Sequence, residues 1–138
     1  KLDAKTRKEI MNILKTNEGL HMSYFKYDGA KIEKTAKKIV AQIDNLSSPE
    51  FIKLLKFSKT KLVSMKASNS KKTNKDSYHL VSMALIHIIN TWELGNKYNS
   101  YTCPMVKMKW VQNTDKLKEV HNPYASSMPN CGRQVSHH

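Results

Sequence analysis

The stretch YHLVSMALIHIINTW, residues 78–92, decides the fold that this sequence predicts. Its apolar side chains recur every three or four residues, which is the spacing of one face of an α-helix. These side chains are Val81, Leu85, Ile88, Ile89 and Trp92. We therefore predict an amphipathic helix from about residue 75 to residue 98.

Three further segments whose apolar side chains have the same helical spacing precede this helix. The first predicts a helix from about residue 4 to 27, which ends at the turn signal Asp28-Gly29. The second ends near Asn45, and Ser48-Pro49-Glu50 then supplies an N-cap, a first-position proline and a first-turn acid for a third helix. Four amphipathic helices with short connections predict an all-α fold, an antiparallel four-helix bundle spanning about residues 4–98.

The pattern changes from residue 99 onward, where Pro, Gly, Asn and Ser recur. We expect an irregular C-terminal segment, about residues 99–136, packed against the bundle, and a single domain over residues 1–138. A segment of this length with little helix signal needs a further constraint that holds it against the rest of the domain, such as a metal site or a disulfide. Within it, Lys107 to Gln112 could form a short strand.

The charge balance favours anionic partners without choosing among them. There are 24 Lys and Arg against 11 Asp and Glu, a formal net charge of +13. Such a field attracts polyanions, acidic protein surfaces and anionic lipid head groups. A nucleic-acid binder is the least favoured hypothesis, because no zinc-finger spacing or RNA-binding aromatic motif accompanies the charge. No apolar run approaches the length of a membrane span.

No enzymatic activity is predicted. The sequence has no nucleophile and base at a recognisable spacing, no phosphate-binding glycine loop and no Cys-x-x-Cys redox motif.

The C-terminal segment carries a near-mirror arrangement of sulfur. Cys103-Pro104-Met105 stands at one end, and Met128-Pro129-Asn130-Cys131 stands at the other. Thiolate and thioether sulfur select soft cations, above all Cu(I). The pattern therefore predicts a site for Cu(I), with Ag(I) as a second candidate, whose ligands are Cys103, Met105, Met128 and Cys131.

A disulfide between Cys103 and Cys131 is the competing interpretation. In an oxidising compartment two such cysteines are expected to pair. Closing that loop would stabilise the fold by roughly 3 to 4 kcal/mol and would pin the segment without any metal. Both interpretations stay open at the level of sequence.

Histidines supply further candidate ligands. His79, Met83 and His87 follow one another at four-residue intervals on the predicted fourth helix, so they share one face. We add His79 to the predicted metal ligands, while His87, His21, His121 and Met108 stay undecided. Imidazoles become the better ligands if copper is oxidised to Cu(II).

The segment also resembles a known family through four elements in order. These are Cys103-Pro104-Met105, Trp110-Val111-Gln112, Asn122-Pro123-Tyr124, and Met128 with Cys131-Gly132. The pattern resembles a bacterial domain family of formally unknown function. That family occurs as stand-alone periplasmic proteins and as a C-terminal appendage on adaptor subunits of Cus-type copper and silver efflux pumps. Two pairs of residues depart from the family pattern. Ala125-Ser126 replaces the aromatic-glycine pair that usually follows Asn-Pro-Tyr, and Met108-Lys109 replaces the Gly-Ala that usually precedes the Trp.

The resemblance implies a periplasmic helical domain tied to heavy-metal handling, with no established reaction. The leading hypothesis is a metal-binding module that captures Cu(I) and exchanges it with an efflux system or chaperone protein of acidic surface. The alternative is a metal-free, disulfide-stapled helical domain that contacts another protein.

Overall fold

The computed structural model describes residues 2–125 and 127–138, so Lys1 and Ser126 lie outside the described residues. The helices come first, followed by the strands. The helices are α1 (Ala4–Phe25), α2 (Gly29–Asp44), α3 (Pro49–Leu54), α4 (Lys56–Ser64) and α5 (Lys71–Thr91). The strands are β1 (Tyr98–Cys103), β2 (Met108–Asn113) and β3 (Arg133–Gln134).

Side chains cap the starts of four helices. The side chain before the first helical residue accepts a hydrogen bond from a backbone N–H of the first turn at α1, α2, α3 and α5, and the caps are Asp3, Asp28, Ser48 and Ser70. Each cap satisfies one of the amides that have no partner within the helix. The predicted start of the third helix is confirmed, because Ser48 Oγ accepts from Phe51 N–H at 3.3 Å and α3 begins at Pro49.

The third predicted helix is divided in two. Leu55, with φ −96° and ψ 6°, ends α3 and precedes α4. The hydrogen bonds on both sides continue, since Leu55 N donates to Phe51 O at 2.9 Å and Lys59 N donates to Leu55 O at 2.9 Å. The break therefore bends the segment and leaves its buried stripe continuous.

The prediction of an all-α four-helix bundle is wrong, because in the described residues a three-stranded antiparallel sheet follows the helices. The strand order is β2-β1-β3. The segment expected to be irregular from about residue 99 to 136 therefore contains all of the sheet except Tyr98, the first residue of β1. The short strand predicted over Lys107 to Gln112 is confirmed as β2.

The central strand β1 is polar, and its polar groups are buried because they are paired. Asn99 Nδ2 donates to Thr114 Oγ1 at 3.1 Å, and Ser100 N donates to Ser136 Oγ at 2.8 Å. These bonds compensate the cost of removing amide and hydroxyl groups from water. A strand with both faces covered lacks the apolar-polar alternation by which an exposed sheet is recognised.

Helices and sheet share one hydrophobic core. Tyr24 of α1 stacks on Tyr78 of α5 with ring centroids 4.4 Å apart, and Trp110 of β2 lies fully buried beside Tyr101 and Tyr124. The sheet contacts α1 through β2, and it contacts α5 through both β2 and β1. None of the described helices has the length and apolar character needed to cross a membrane.

Candidate functional site

The sheet brings the two cysteines together. Cys103 is the last residue of β1, and Thr102 pairs with Arg133 of β3 in antiparallel register. The residues just before Arg133 therefore lie alongside the end of β1. Cys131 arrives there two residues earlier, and the two thiols are close enough for each to shift the pKa of the other. Both described cysteines are free thiols.

The hairpin turn after β1 stabilises negative charge on Cys103. Lys107, with φ +56°, closes the turn by donating its N–H to Cys103 O at 2.8 Å. Burial raises the pKa of the Cys103 thiol, but this effect is outweighed. The N–H groups of Val106 and Met105, the Asn122 amide and the Cys131 thiol all donate to its sulfur, so the pKa falls below its ordinary value.

The pKa of the Cys131 thiol is shifted in the opposite direction, above its ordinary value. Partial burial raises the pKa of its thiol, and the hydrogen bond to Cys103 together with the charge of the Cys103 thiolate raises it further. The pair therefore ionises in sequence, with Cys103 as the first thiolate and Cys131 as the thiol that donates to it. Cys103 is fully buried, whereas Cys131 is partly accessible.

Gly132 allows this close approach. Its φ is +141°, a region that side-chain-bearing residues rarely adopt. A Cβ atom there would stand 2.8 Å from Thr102 O and 3.0 Å from Trp110 Cη2. Only glycine therefore fits at position 132, where the backbone lies against both β1 and the Trp110 indole ring.

Asn122 links the Cys131 loop to the thiols. The residue is 1% exposed, and its Nδ2 donates to Cys131 O at 2.7 Å as well as to the Cys103 sulfur. Its Oδ1 accepts from Tyr124 N at 2.8 Å, and its own N–H donates to Pro129 O at 2.8 Å. The sequence prediction omitted Asn122 from the site. Its place before Pro123 indicated a turn and gave no sign of a donor to sulfur.

The two predicted methionine ligands lie at the rim. Met105 sits in the hairpin turn two residues after Cys103 and is 68% exposed. Met128 precedes Cys131 by three residues, accepts its N–H at 3.0 Å and is 43% exposed. Each thioether is thus carried on the loop of one cysteine, and the thiols form the inner part of the site. Met108 is half-buried and pairs with Cys103 across β1 and β2.

His79 joins α5 to the sheet. Its Nδ1 accepts the Lys109 N–H at 3.0 Å, one residue along β2 from Met108. Burial is the main reason why the pKa of His79 lies below its ordinary value. In the neutral ring Nδ1 is the acceptor, so Nε2 carries the proton and has no lone pair for a metal. The structure gives this predicted ligand a role in packing.

Three other histidines have contacts of their own. His21 is buried and its Nε2 donates to His121 O at 2.6 Å. His121 Nδ1 donates to Glu119 O at 2.9 Å, and its ring lies 4.8 Å from that of Phe25. His87 is exposed and lies against Trp92 with ring centroids 6.2 Å apart.

The predicted combination of cysteine and histidine ligands does not form. Across residues 2–125 and 127–138, no group of three or more His, Cys, Asp or Glu side chains could hold a metal ion. His79 therefore does not form such a group with Cys103 and Cys131. A metal at this position would have the two cysteine sulfurs as its inner ligands and would take any further ligand from methionine or from another molecule.

Comparison with known proteins yields no relative: no family model, no curated protein and no solved structure matches this chain.

Proposed function

We propose that this protein is a soft-metal-binding module that holds Cu(I), with Ag(I) as a second cargo, between Cys103 and Cys131. The observation that carries the proposal is the contact between the two free thiols, one of which has a lowered pKa. Thiolate sulfur selects Cu(I) over the hard ions preferred by carboxylate and water. Met105 and Met128 are proposed as outer thioether ligands.

The unequal pKa values suit this role. The Cys103 sulfur already accepts hydrogen bonds that favour the thiolate, so it is the first ligand. Cys131 must lose its proton when the metal arrives, because metals bind thiolates. Binding should therefore release a proton from Cys131 and weaken as the pH falls.

The accessibility of the site suits metal transfer. Met105 and Met128 are exposed and Cys131 is partly exposed, so another protein could exchange ligands one at a time. Lys107, in the same hairpin turn, is exposed and adds positive charge at the rim. An efflux or chaperone protein with an acidic surface is the proposed partner. A periplasmic location is proposed from the sequence resemblance.

The test is an anaerobic titration of fully reduced protein with Cu(I) against a chromophoric Cu(I) chelator. We expect one Cu(I) per chain, and we expect Cys103→Ser and Cys131→Ser each to abolish tight binding. Met128→Leu should weaken binding, whereas Met83→Leu serves as a matched control. Met83 is 42% exposed, almost the same as Met128, but lies on α5. Equal effects of the two methionine variants would remove Met128 from the ligand set.

A metal-free, disulfide-stapled interaction domain is the second candidate, and the same sulfur contact favours it. Oxidation would join Cys103 and Cys131 across the sheet edge and would add roughly 3 to 4 kcal/mol of stability on the chain-entropy account. The two candidates differ in the reduced state. Reduced protein that binds no stoichiometric Cu(I), yet loses two hydrogen atoms in air and becomes more stable, would establish the disulfide domain instead.

A further inference from the structure

A cleft of about 350 Å³ lies between α1 and the second half of β2. Apolar side chains from three parts of the chain line it: Met22 of α1, Val111 of β2 and Leu117 of the loop after β2. Sites for small molecules in proteins have this order of volume and combine apolar walls with a few polar groups. The polar groups that keep unused hydrogen-bonding capacity therefore indicate what the cleft binds.

Two amide side chains of the cleft are already hydrogen-bonded within the protein. Gln112 Nε2 donates to Glu119 O at 2.7 Å. Asn113 Nδ2 donates to Glu18 Oε2 at 3.2 Å, and its Oδ1 accepts from Lys116 N at 3.0 Å. Both amides therefore join the sheet to the neighbouring segments, and these bonds would have to break before either could bind a ligand.

The charge of Glu18, which also lines the cleft, is compensated by its neighbours. Lys116 Nζ donates to Glu18 Oε1 at 3.3 Å, and Tyr98 OH donates to Glu18 Oε2. Burial raises the pKa of Glu18, but the hydrogen bonds outweigh this effect and hold the pKa below its ordinary value. A cationic ligand would have to displace Lys116, and an anionic ligand would be repelled by the carboxylate. The cleft therefore favours a neutral ligand.

Two buried side chains of α1 have one unused polar atom each. Asn17 is 2% exposed, and its Oδ1 accepts from Tyr78 OH at 2.9 Å. His21 is 1% exposed, and its Nε2 donates to His121 O at 2.6 Å. The remaining nitrogens, Asn17 Nδ2 and His21 Nδ1, have no hydrogen-bond partner among the described residues. One donor and one acceptor are thus available.

Both of these nitrogens reach the cleft. In the described part of the chain, the fully enclosed side-chain atoms that lack a partner are Gln42 Oε1 and Ser82 Oγ. Asn17 Nδ2 and His21 Nδ1 therefore touch accessible space, and both side chains line the cleft. The two residues are four positions apart in α1, so they project from one face. Burial lowers the pKa of His21 to about 4, so Nδ1 of the neutral ring is an acceptor beside the Asn17 donor.

We propose that the cleft binds a small neutral molecule that carries a carboxamide or lactam group. Its carbonyl oxygen would accept from Asn17 Nδ2, and its N–H would donate to His21 Nδ1. Its apolar body would pack against Met22 and Leu117. An amide is a simple neutral group that holds an acceptor and a donor side by side, as these two nitrogens require. The proposal is independent of copper binding, because none of the proposed copper ligands lines the cleft.

The test titrates the reduced full chain with benzamide and follows the nitrogen resonances of isotopically labelled histidine by NMR. Benzamide should bind with a dissociation constant of roughly a millimolar or lower, as expected for so small a ligand. The His21 Nδ1 resonance should shift, because the amide N–H donates to that atom. Acetophenone has the same shape and carbonyl but no N–H, so it should bind at least about tenfold more weakly. Benzoate, which is anionic, should not bind.

A matched pair of variants tests the position of the site. Met22→Trp places a larger side chain in the wall of the cleft and should weaken benzamide binding at least about tenfold. Met11→Trp is the control, because Met11 is also a half-buried methionine of α1 but does not line the cleft. It should leave the affinity within about threefold of the unchanged protein. Circular dichroism verifies that both variants are folded.

Three outcomes would overturn the proposal. One is an absence of saturable benzamide binding to the folded, unchanged protein. Another is binding of acetophenone or benzoate as tight as that of benzamide, which would mean that the cleft does not recognise the amide. The last is equal weakening by Met22→Trp and Met11→Trp, which would place the bound benzamide outside the cleft.

Discussion

Replacement of Asn122 by alanine probes the residue that links the thiols to their loop. The Asn122 side chain makes three contacts in a buried place: with the Cys131 carbonyl at 2.7 Å, with the Tyr124 N–H at 2.8 Å and with the Cys103 sulfur. Asn122→Ala removes all three at once. It should therefore lower stability and change the ionisation of Cys103 together.

The size of the stability loss follows from the groups left without partners. A buried polar group that loses its partner costs about 1 to 3 kcal/mol, and the Cys131 carbonyl and the Tyr124 N–H are two such groups. Water that reaches the partly exposed loop can replace some of the lost hydrogen bonds and so reduces this cost. We expect a loss of about 2 to 4 kcal/mol in the free energy of unfolding. The pKa of Cys103 should rise, because one donor to its thiolate is lost.

Urea unfolding of reduced protein measures the first effect, and the ultraviolet absorbance of thiolate against pH measures the second. Asn130→Ala is the control from the same loop, because Asn130 is exposed and its Nδ2 donates to Val120 O at 2.7 Å. Its loss should stay below about 1 kcal/mol, with the thiolate titration unchanged. If Asn122→Ala matches Asn130→Ala in both measurements, the role assigned to Asn122 is refuted.

Three further predictions concern neighbouring groups. Gly132→Ala should destabilise the chain by about 2 to 4 kcal/mol and disturb the thiol contact, because the new Cβ meets Thr102 O at 2.8 Å and φ is positive; urea unfolding and thiolate titration check this. His79→Ala should cost about 1 kcal/mol by leaving the Lys109 N–H without its acceptor, yet leave the Cu(I) stoichiometry unchanged; a loss of stoichiometry would restore His79 as a ligand. Burial lowers the pKa of His21 from 6.5 to about 4, so the unfolded chain takes up the proton first as the pH falls. Stability should therefore decline by roughly 2 to 4 kcal/mol between about pH 6.5 and pH 4, and a decline of equal size in His21→Gln would rule out His21 as its source.

The sequence predicted where the helices lie because their signals are local. The fourth was expected from about residue 75 to 98, whereas α5 runs from Lys71 to Thr91 and Tyr98 begins β1. Ser48 and Pro49 determine where α3 begins, and the stripe in α5 is visible in its spacing. The bend at Leu55 could not be predicted, because Phe51, Leu55, Ser58, Leu62 and Met65 keep helical spacing across it. Hydrophobic periodicity reports which side chains are buried and is insensitive to one residue that leaves helical geometry while both adjoining hydrogen bonds persist.

The sheet and the order in which the two thiols ionise were harder to predict. Both depend on contacts between residues that lie far apart in the sequence. The strand β1 is polar and buried, and it is satisfied by Thr114 and Ser136, which lie far along the chain. The meeting of Cys103 with Cys131 was anticipated from their mirrored motifs, but the donors to sulfur were not. Backbone amides of a turn and one asparagine side chain have no recognisable spacing, so the order in which the thiols ionise emerges only from the fold.

The central claim is that the contact between Cys103 and Cys131 forms the inner part of a Cu(I) site. X-ray absorption at the copper edge, on reduced protein loaded anaerobically with one equivalent of Cu(I), tests it most directly. The account predicts a first shell made of sulfur alone, which disappears when both cysteines are replaced by serine. A first shell of nitrogen or oxygen, or a spectrum unchanged by that replacement, would contradict it.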